Sequence, residues 1–179
     1  MKYTINTIIE DFHHEVKPEL LFFWGHTKKD EMTKACFSQW FPAQFEENNV
    51  IYETAEHYMM AEKARLFNDD EVLEKILTAE TPNNAKSLGR KVKNFDMEIW
   101  DRHKYEIVKK GNFLKFSQNE KLKEFLLSTD NKIIVEASPY DAIWGIGMLE
   151  TDRDAQNPLL WKGENLLGFA LMEVRNELR

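Results

Sequence analysis

The chain has 179 residues with 24 Lys and Arg against 31 Asp and Glu, so its formal net charge is −7. This length provides for one domain-sized core, and the 42% hydrophobic share excludes a disordered acidic tail. The acidic balance speaks against a protein that binds long stretches of nucleic-acid backbone and favours a small-molecule ligand. The single cysteine, Cys36, excludes an internal disulfide and a cysteine-built zinc site, and its apolar neighbours predict a buried, unreactive thiol.

Membrane, export and metal signals are weak in this sequence. The longest stretch without Asp, Glu, Lys or Arg covers 11 residues, 35–45, whereas a membrane-spanning helix needs about 20 largely apolar residues. The first residues lack the apolar core and cleavage site of a signal peptide. His13 and His14 form an adjacent pair that would chelate weakly, and no histidine has metal-ligand spacing with carboxylates or cysteine. We therefore expect a cytoplasmic protein with no membrane span, no metal and no cofactor.

Helical signals dominate the chain beyond residue 54. Thr81 followed by Pro82 is typical of a helix start, and Asn68 with Glu71 three residues later has the form of a helix cap. The predicted helices cover 54–67, 68–78, 81–91, 96–110, a helix that starts at the capping-box sequence 117–120, and 164–178. Two short apolar runs, 20–24 and 132–136, have the length of strands that would pair as a small ribbon. The fold class is therefore mainly α, a single multihelical domain with a few short strands.

Glu56 and Lys63 lie seven residues apart in the first predicted helix. At 100° per residue they differ by only about 20° around the axis, and they lie about 10 Å apart along it. A carboxylate and an amine that face a dry pocket are suited to acid–base or nucleophilic chemistry. Charged residues at this spacing also commonly occupy a solvated face, so the pattern alone leaves both interpretations open.

Two further segments combine residues that suit a nucleotide-like ligand. Lys86 and Arg90 are four apart and share a helix face that would hold a phosphate, unless that face is simply solvated. In the segment 136–147, Asp141 is placed to orient a water or a ribose hydroxyl, Trp144 to stack on a base or sugar, and Gly145 to let the backbone approach a ligand. Alternatively, Asp141 caps a turn and Trp144 fills the core.

Taken in order, four segments resemble the YbiA-like family, also called NADAR. They are TAEHYMMAEKA at 54–64, AKSLGR at 85–90, EASPYDAIWGIG at 136–147 and WKGENLLG at 161–168. The resemblance covers about 22–179, so we expect residues 1–20 to form an N-terminal extension packed on a YbiA-like domain at 21–179. One departure is Gln39, which stands where many relatives have asparagine and is expected to change the shape of the substrate pocket.

The resemblance implies an N-glycosidase, a hydrolase that cleaves ribose 5-phosphate from the aminopyrimidines of early riboflavin biosynthesis. Cleavage of a C–N glycosidic bond needs a proton for the leaving nitrogen and stabilisation of an oxocarbenium-like ribose. Glu56 is then the acid–base candidate, and Lys63 is an alternative nucleophile that would form a Schiff base with C1. Asp141 would bind the ribose hydroxyls or position water. The expected substrate-binding residues are Phe23, Trp40, Trp144 and Gly145 near the base, and Lys86 and Arg90 at the phosphate.

Three alternatives stay open on the sequence alone. The first is hydrolysis of ADP-ribosyl-guanine, in which a nucleic acid would enter only as the carrier of an ADP-ribosylated base. The second is a non-catalytic module that binds ADP-ribose or a related nucleotide. The third is a helical interaction protein whose polar residues are merely solvated. The joint presence of Glu56, Lys63 and Asp141 favours chemistry, because a binding module does not need all three.

Overall fold

A computed structural model of the chain describes residues 1–12 and 18–179. Helices dominate the described residues, which confirms the mainly α fold class. The helices are α1 (Ile5–Phe12), α2 (Ala55–Leu66), α3 (Asp70–Leu77), α4 (Pro82–Gly89), α5 (Met97–Ser117), α6 (Glu120–Leu127) and α7 (Leu166–Glu177). The strands are β1 (Leu20–Phe23), β2 (Phe45–Glu47), β3 (Val50–Tyr52) and β4 (Ile133–Glu136). The predicted weak chelation by His13 and His14 falls outside the described residues.

The described chain divides into two compact units. The first unit joins residues 1–38 to residues 120–179, and the second unit is the continuous segment 39–119. Within these described segments, no helix is long and apolar enough to cross a membrane. The first unit therefore depends on contacts between the two ends of the chain, whereas the second is built from residues close in sequence.

The first unit is organised around a two-stranded parallel sheet. β1 pairs with β4, with Leu20 opposite Ile133 and Phe23 opposite Glu136, so the two predicted apolar runs do pair. Helix α7 packs on β4, and its residues from Leu166 to Arg175 are all buried. A helix that is buried on every side belongs to the core rather than the surface.

Asn165 joins the start of α7 to β4. Its backbone is left-handed, with φ of 54°, a conformation that asparagine tolerates better than most residues. The side chain is buried, accepts a hydrogen bond from the Glu136 amide at 2.9 Å and donates one to the Ile134 carbonyl at 2.9 Å. Gly168 completes the junction, because a Cβ there would lie 2.1 Å from the Ile134 carbonyl oxygen.

The described part of the N-terminal segment also belongs to the first unit. Helix α1 buries Ile8, and the Lys2 amide donates to the Glu173 carboxylate at 2.5 Å. The Asn176 amide group donates to the Tyr3 hydroxyl at 2.7 Å. These contacts bring the segment against α7.

The second unit is built on α2, which packs against α3, α4 and α5. Glycines allow two of these contacts to be close. A Cβ at Gly89 on α4 would lie 2.0 Å from the sulfur of Met60, and a Cβ at Gly111 on α5 would lie 2.6 Å from the ring of Tyr58. Absence of a side chain at these two positions lets the neighbouring helices approach α2.

The start of α3 and the end of α5 differ from the sequence prediction. Asp69, not Asn68, caps α3 through a hydrogen bond from the Val72 amide, because Asn68 adopts a left-handed conformation with φ of 55°. Helix α5 extends to Ser117 rather than residue 110, because Gly111 is accommodated within the helix against Tyr58.

The capping box predicted at 117–120 does not form. Ser117 is the last residue of α5 and donates to the carbonyl of Leu114, and Asn119 donates to the carbonyls of Gln44 and Lys115. The side chains that would cap α6 are therefore engaged elsewhere.

The antiparallel hairpin of β2 and β3 was not predicted. Its turn consists of Asn48 and Asn49, with φ of 52° and 63°, and Phe45 pairs with Tyr52 across it. Two consecutive residues with positive φ are typical of a tight hairpin turn, and asparagine is favoured there. The two asparagines were thus an available signal for the hairpin.

Candidate active site

In the second unit, helix α2 carries the two residues predicted to perform the chemistry, Glu56 and Lys63. Thr54 caps the helix by accepting a hydrogen bond from the His57 amide, and the Glu56 amide donates to the Gln39 carbonyl at 3.0 Å. Because α2 is continuous over these positions, the seven-residue spacing does put Glu56 and Lys63 on one face, about 10 Å apart along the axis.

Glu56 is shielded from water. Only 2% of the residue is exposed, and its neighbours on α2, Met59 and Met60, are also buried. A solvated face, which the sequence left open, therefore does not describe this residue. A carboxyl group held in such surroundings is placed as general acids and bases usually are, away from bulk water.

Lys63 lies in a partly desolvated, aromatic environment. Its ammonium is 4.1 Å from the centroid of the Phe95 ring and 5.5 Å from that of Trp100. Burial lowers the pKa of the Lys63 amine below its usual value, and the positive charge of Arg90 lowers it further. Both effects favour the neutral amine, because they disfavour the charged form.

Lys63 has no carboxylate partner among residues 1–12 and 18–179, where no Asp or Glu oxygen lies within 4.0 Å of its ammonium. A carboxylate would stabilise the ammonium and suppress nucleophilicity. A partly buried amine with a cation nearby, and with no carboxylate of the described residues within 4.0 Å, has the features of activated, nucleophilic lysines.

Two cations on α4 lie beside α2. Lys86 is half-buried with its ammonium 5.7 Å from the centroid of the Trp40 ring, and Arg90 is exposed at the C-terminal end of α4. The structure therefore brings predicted residues together in two places in this unit: Arg90 acts on Lys63, and Lys86 lies over Trp40.

His57 and Gln39 support this arrangement from inside the unit. The buried His57 ring bonds the Thr54 hydroxyl at 2.8 Å and the Ala79 carbonyl at 3.0 Å, which joins the start of α2 to the turn before α4. Its contact with a carbonyl requires the ring nitrogen Nε2 to donate. Gln39 is buried and accepts a hydrogen bond from the Asn112 side chain at 2.8 Å.

The remaining predicted residues belong to the first unit. Phe23 is 0% exposed and packs edge-on against Phe37 at 5.5 Å. Its ring is part of the core of this unit, and its predicted stacking role stays a prediction. The exposed aromatic residues near the ends of the parallel strands are instead Trp24 and Tyr140, with ring centroids 6.3 Å apart.

Asp141 organises the loop that follows β4. One of its carboxylate oxygens accepts hydrogen bonds from the Ile143 and Trp144 amides at 2.9 and 2.8 Å. This oxygen therefore caps the turn, which is one of the two roles that the sequence left open. Trp144 is half-buried. At Gly145 a Cβ would lie 2.7 Å from the Glu136 carbonyl oxygen, so the close approach that glycine permits here is to the protein's own backbone.

Phe95 and Trp100 were not identified from the sequence, although a local signal was present. Asp96 caps α5, which puts Phe95 immediately before the cap and Trp100 at the fourth helical position. Apolar residues at these two positions commonly pack together as a hydrophobic staple. The contact of both rings with Lys63 is tertiary and has no local sequence signature.

Comparison with known proteins identifies the family. The sequence model of the NADAR domain matches residues 22–179. The chain is 48% identical over 164 residues to N-glycosidase R617 of Acanthamoeba polyphaga mimivirus, covering 88% of this chain and 95% of that protein. It is 28% identical over 165 residues to N-glycosidase YbiA of Escherichia coli strain K12, covering 92% of each.

The fold agrees with these sequence matches. The NMR structure of the E. coli protein YbiA superposes with a TM-score of 0.73 and 28% identity, and covers 95% of this chain and 90% of that one. The names of the relatives confirm the predicted class of enzyme, a hydrolase of N-glycosyl compounds. The chain therefore belongs to the NADAR family.

Proposed function

We propose that this chain is an N-glycosidase that hydrolyses the C–N bond between ribose 5-phosphate and the aminopyrimidine of early riboflavin biosynthesis intermediates. The observation that carries the reaction is the environment of Lys63, a half-buried amine beside Arg90 with no carboxylate within 4.0 Å in the described chain. The relatives named N-glycosidases support the reaction class. The substrate follows from the family resemblance.

The proposed reaction begins with attack by the neutral amine of Lys63 on ribose C1. The bond between C1 and Nζ forms, and the bond between C1 and the base nitrogen breaks with its electron pair passing to the base. Glu56 in its protonated form supplies the proton that the leaving nitrogen needs. The product of this step is a protonated glycosylamine on Lys63, a free base and a Glu56 carboxylate.

The second half of the reaction returns the enzyme to its starting state. The ring C–O bond opens as Nζ forms a double bond to C1, and the ring oxygen takes one of the two protons on Nζ. The nitrogen keeps the other proton, so the product is an iminium. Water then adds to C1 while the Glu56 carboxylate removes its proton, and loss of the amine releases ribose 5-phosphate. A covalent route of this kind divides one difficult cleavage into two easier steps.

Lys86 and Arg90 are the proposed phosphate ligands. Two cations four residues apart, Lys86 on α4 and Arg90 as its C-cap residue, suit a single phosphate monoester. Trp40 beside Lys86 offers a flat apolar face. The predicted roles of Asp141, Trp144 and Gly145 in binding the ribose or base stay predictions.

Trapping of the intermediate tests the role of Lys63. The protein is incubated with the phosphoribosyl aminopyrimidine and borohydride, digested and examined by mass spectrometry. We expect a reduced pentose phosphate adduct on the peptide that contains Lys63, and none on the exposed, ion-paired Lys75. Base release without any adduct at Lys63 would contradict covalent catalysis by this residue.

Substitution of Glu56 tests the acid–base role. Glu56→Gln should fold normally and lose about 100-fold or more in the rate of base release, the usual size of a general acid–base contribution. Glu62→Gln is the matched control, since Glu62 lies on the same helix but pairs with Arg65 at 2.5 Å. Equal rates for the two variants would remove Glu56 from the mechanism.

A parallel assay with ADP-ribosylated guanosine decides between substrates. Release of aminopyrimidine but not guanine supports the proposal, whereas faster release of guanine would assign the chain to ADP-ribosyl-guanine hydrolysis. Binding of both without release would indicate a nucleotide-binding module.

A further inference from the structure

Phe95 and Trp100 surround the nitrogen that the proposed reaction uses. The ammonium of Lys63 lies 4.1 Å from the Phe95 centroid and 5.5 Å from the Trp100 centroid, both within the roughly 6 Å range of a cation–π contact. A cation over the face of an aromatic ring is attracted by the negative charge of that face. The two rings together are called the aromatic bracket below.

Phe95 is one of the exposed large hydrophobic residues of the described chain. It is 42% exposed, although it also packs edge-on against Phe67 at a centroid distance of 5.3 Å. An exposed ring that contacts a cation gains little from burial, so the contact with Lys63 is a substantial part of what this side chain does at its position.

The charged surroundings of Lys63 require such a contact. Arg90 is the group whose charge acts on Lys63, and it repels the ammonium. In the described chain no carboxylate lies within 4.0 Å to offset that repulsion. Without an attractive partner, the flexible lysine side chain would move its ammonium into water.

We propose that the aromatic bracket holds the cationic nitrogen of Lys63 in place, which makes Phe95 and Trp100 positioning residues for the reaction at that nitrogen. The link to the reaction rests on the proposed function. The iminium formed during that reaction is also a cation at Nζ. The same two rings therefore stabilise the ammonium of the substrate-free protein, which must lose a proton before Nζ attacks, and the covalent intermediate.

Substrate-free labelling tests the bracket independently of any activity. The folded protein is labelled with acetic anhydride over a series of pH values, and acetylation of Lys63 is measured by mass spectrometry. Only the neutral amine reacts. Because the bracket stabilises the ammonium, Phe95→Leu should move the midpoint of the labelling curve to lower pH by about 0.5 pH unit, the shift expected for loss of one cation–π contact.

Three further variants separate the ring's charge distribution from its bulk. Phe95→Tyr keeps an aromatic face and should keep the wild-type midpoint. Trp100→Leu should shift the midpoint in the same direction by a smaller amount, because the Trp100 ring lies farther from the ammonium. If Phe95→Leu does not fold, Trp100→Leu still tests the bracket. Met97→Leu changes a neighbouring residue that is 68% exposed and should shift nothing.

The labelling result alone decides the inference. An unchanged midpoint in both Phe95→Leu and Trp100→Leu overturns it, as does an equal shift in Phe95→Leu and Phe95→Tyr, which would attribute the effect to packing. Borohydride trapping on the same proteins decides the proposed function. A labelling shift without any sugar adduct in the wild type would leave the bracket standing and reject covalent catalysis by Lys63.

Discussion

Replacement of Asn165 should reveal how strongly the start of α7 is tied to β4. The buried side chain makes two hydrogen bonds to the strand, from the Glu136 amide and to the Ile134 carbonyl, both at 2.9 Å. Asn165→Gly removes both bonds and retains the freedom to adopt the φ of 54° seen here. The substitution therefore isolates the hydrogen bonds from the backbone conformation.

The expected cost can be worked out from these contacts. Loss of the hydrogen bond to the buried Ile134 carbonyl should lower the free energy of unfolding by about 2 kcal/mol. Loss of the bond from the part-buried Glu136 amide should lower it by about 1 kcal/mol. Asn165→Gly should therefore lower the free energy of unfolding by about 3 kcal/mol. Asn165→Ala should lower it by about 4 kcal/mol, since alanine adds about 1 kcal/mol in a left-handed conformation.

Urea unfolding followed by tryptophan fluorescence measures both differences. Asn94 is a suitable control, because it has the same φ of 54° on an exposed segment, so Asn94→Ala should cost only the backbone contribution of about 1 kcal/mol. If Asn165→Gly unfolds within about 0.5 kcal/mol of the wild type, the size of most surface substitutions, the two hydrogen bonds do not stabilise the junction and the reasoning is wrong.

Two further predictions concern titration in the second unit. Burial lowers the pKa of His57 in the folded protein, so below about pH 6.5 the unfolded chain binds a proton that the folded chain does not. The free energy of unfolding should consequently fall as pH decreases through that value. Urea unfolding of His57→Gln over the same pH range should show a weaker fall, and parallel curves of unfolding free energy against pH for the two proteins would contradict this. Arg90→Gln removes the charge that lowers the pKa of Lys63, so acetylation of Lys63 should shift to higher pH, opposite to Phe95→Leu. Because Arg90 is exposed, high salt should reduce the difference in labelling midpoint between wild type and Arg90→Gln. A shift of the Arg90→Gln midpoint to lower pH would refute the conclusion that the charge of Arg90 lowers the pKa of Lys63.

Local signals explain which parts of the fold were predictable. Thr54 and the Thr81-Pro82 pair mark the starts of α2 and α4 as predicted, because helix caps are decided by a few adjacent residues. The end of α5 was not predictable, since Gly111 breaks a helix in isolation but fits against Tyr58 here. That fit depends on a residue more than fifty positions away.

The same distinction applies to the candidate site. The shared face of Glu56 and Lys63 follows from helix periodicity and was predicted. The aromatic bracket was not, because Phe95 and Trp100 lie over thirty residues from Lys63 and meet it only through the packing of α5 on α2. The burial of Phe23 has a related cause: an apolar residue at a strand end can face either solvent or core, and the contact with Phe37 decides it.

The parallel pairing of β1 with β4 has a consequence for the order in which the protein folds. Leu20 must find Ile133, so the first unit cannot complete its sheet until the chain has been synthesised well beyond its middle. Residues 39–119 form a continuous unit, so the contacts within it can form earlier. Pairings between distant residues form slowly, because a long loop must close before any contact compensates for the lost entropy. During synthesis the apolar β1 segment therefore emerges before its partner strand, and until β4 is made it is exposed to aggregation.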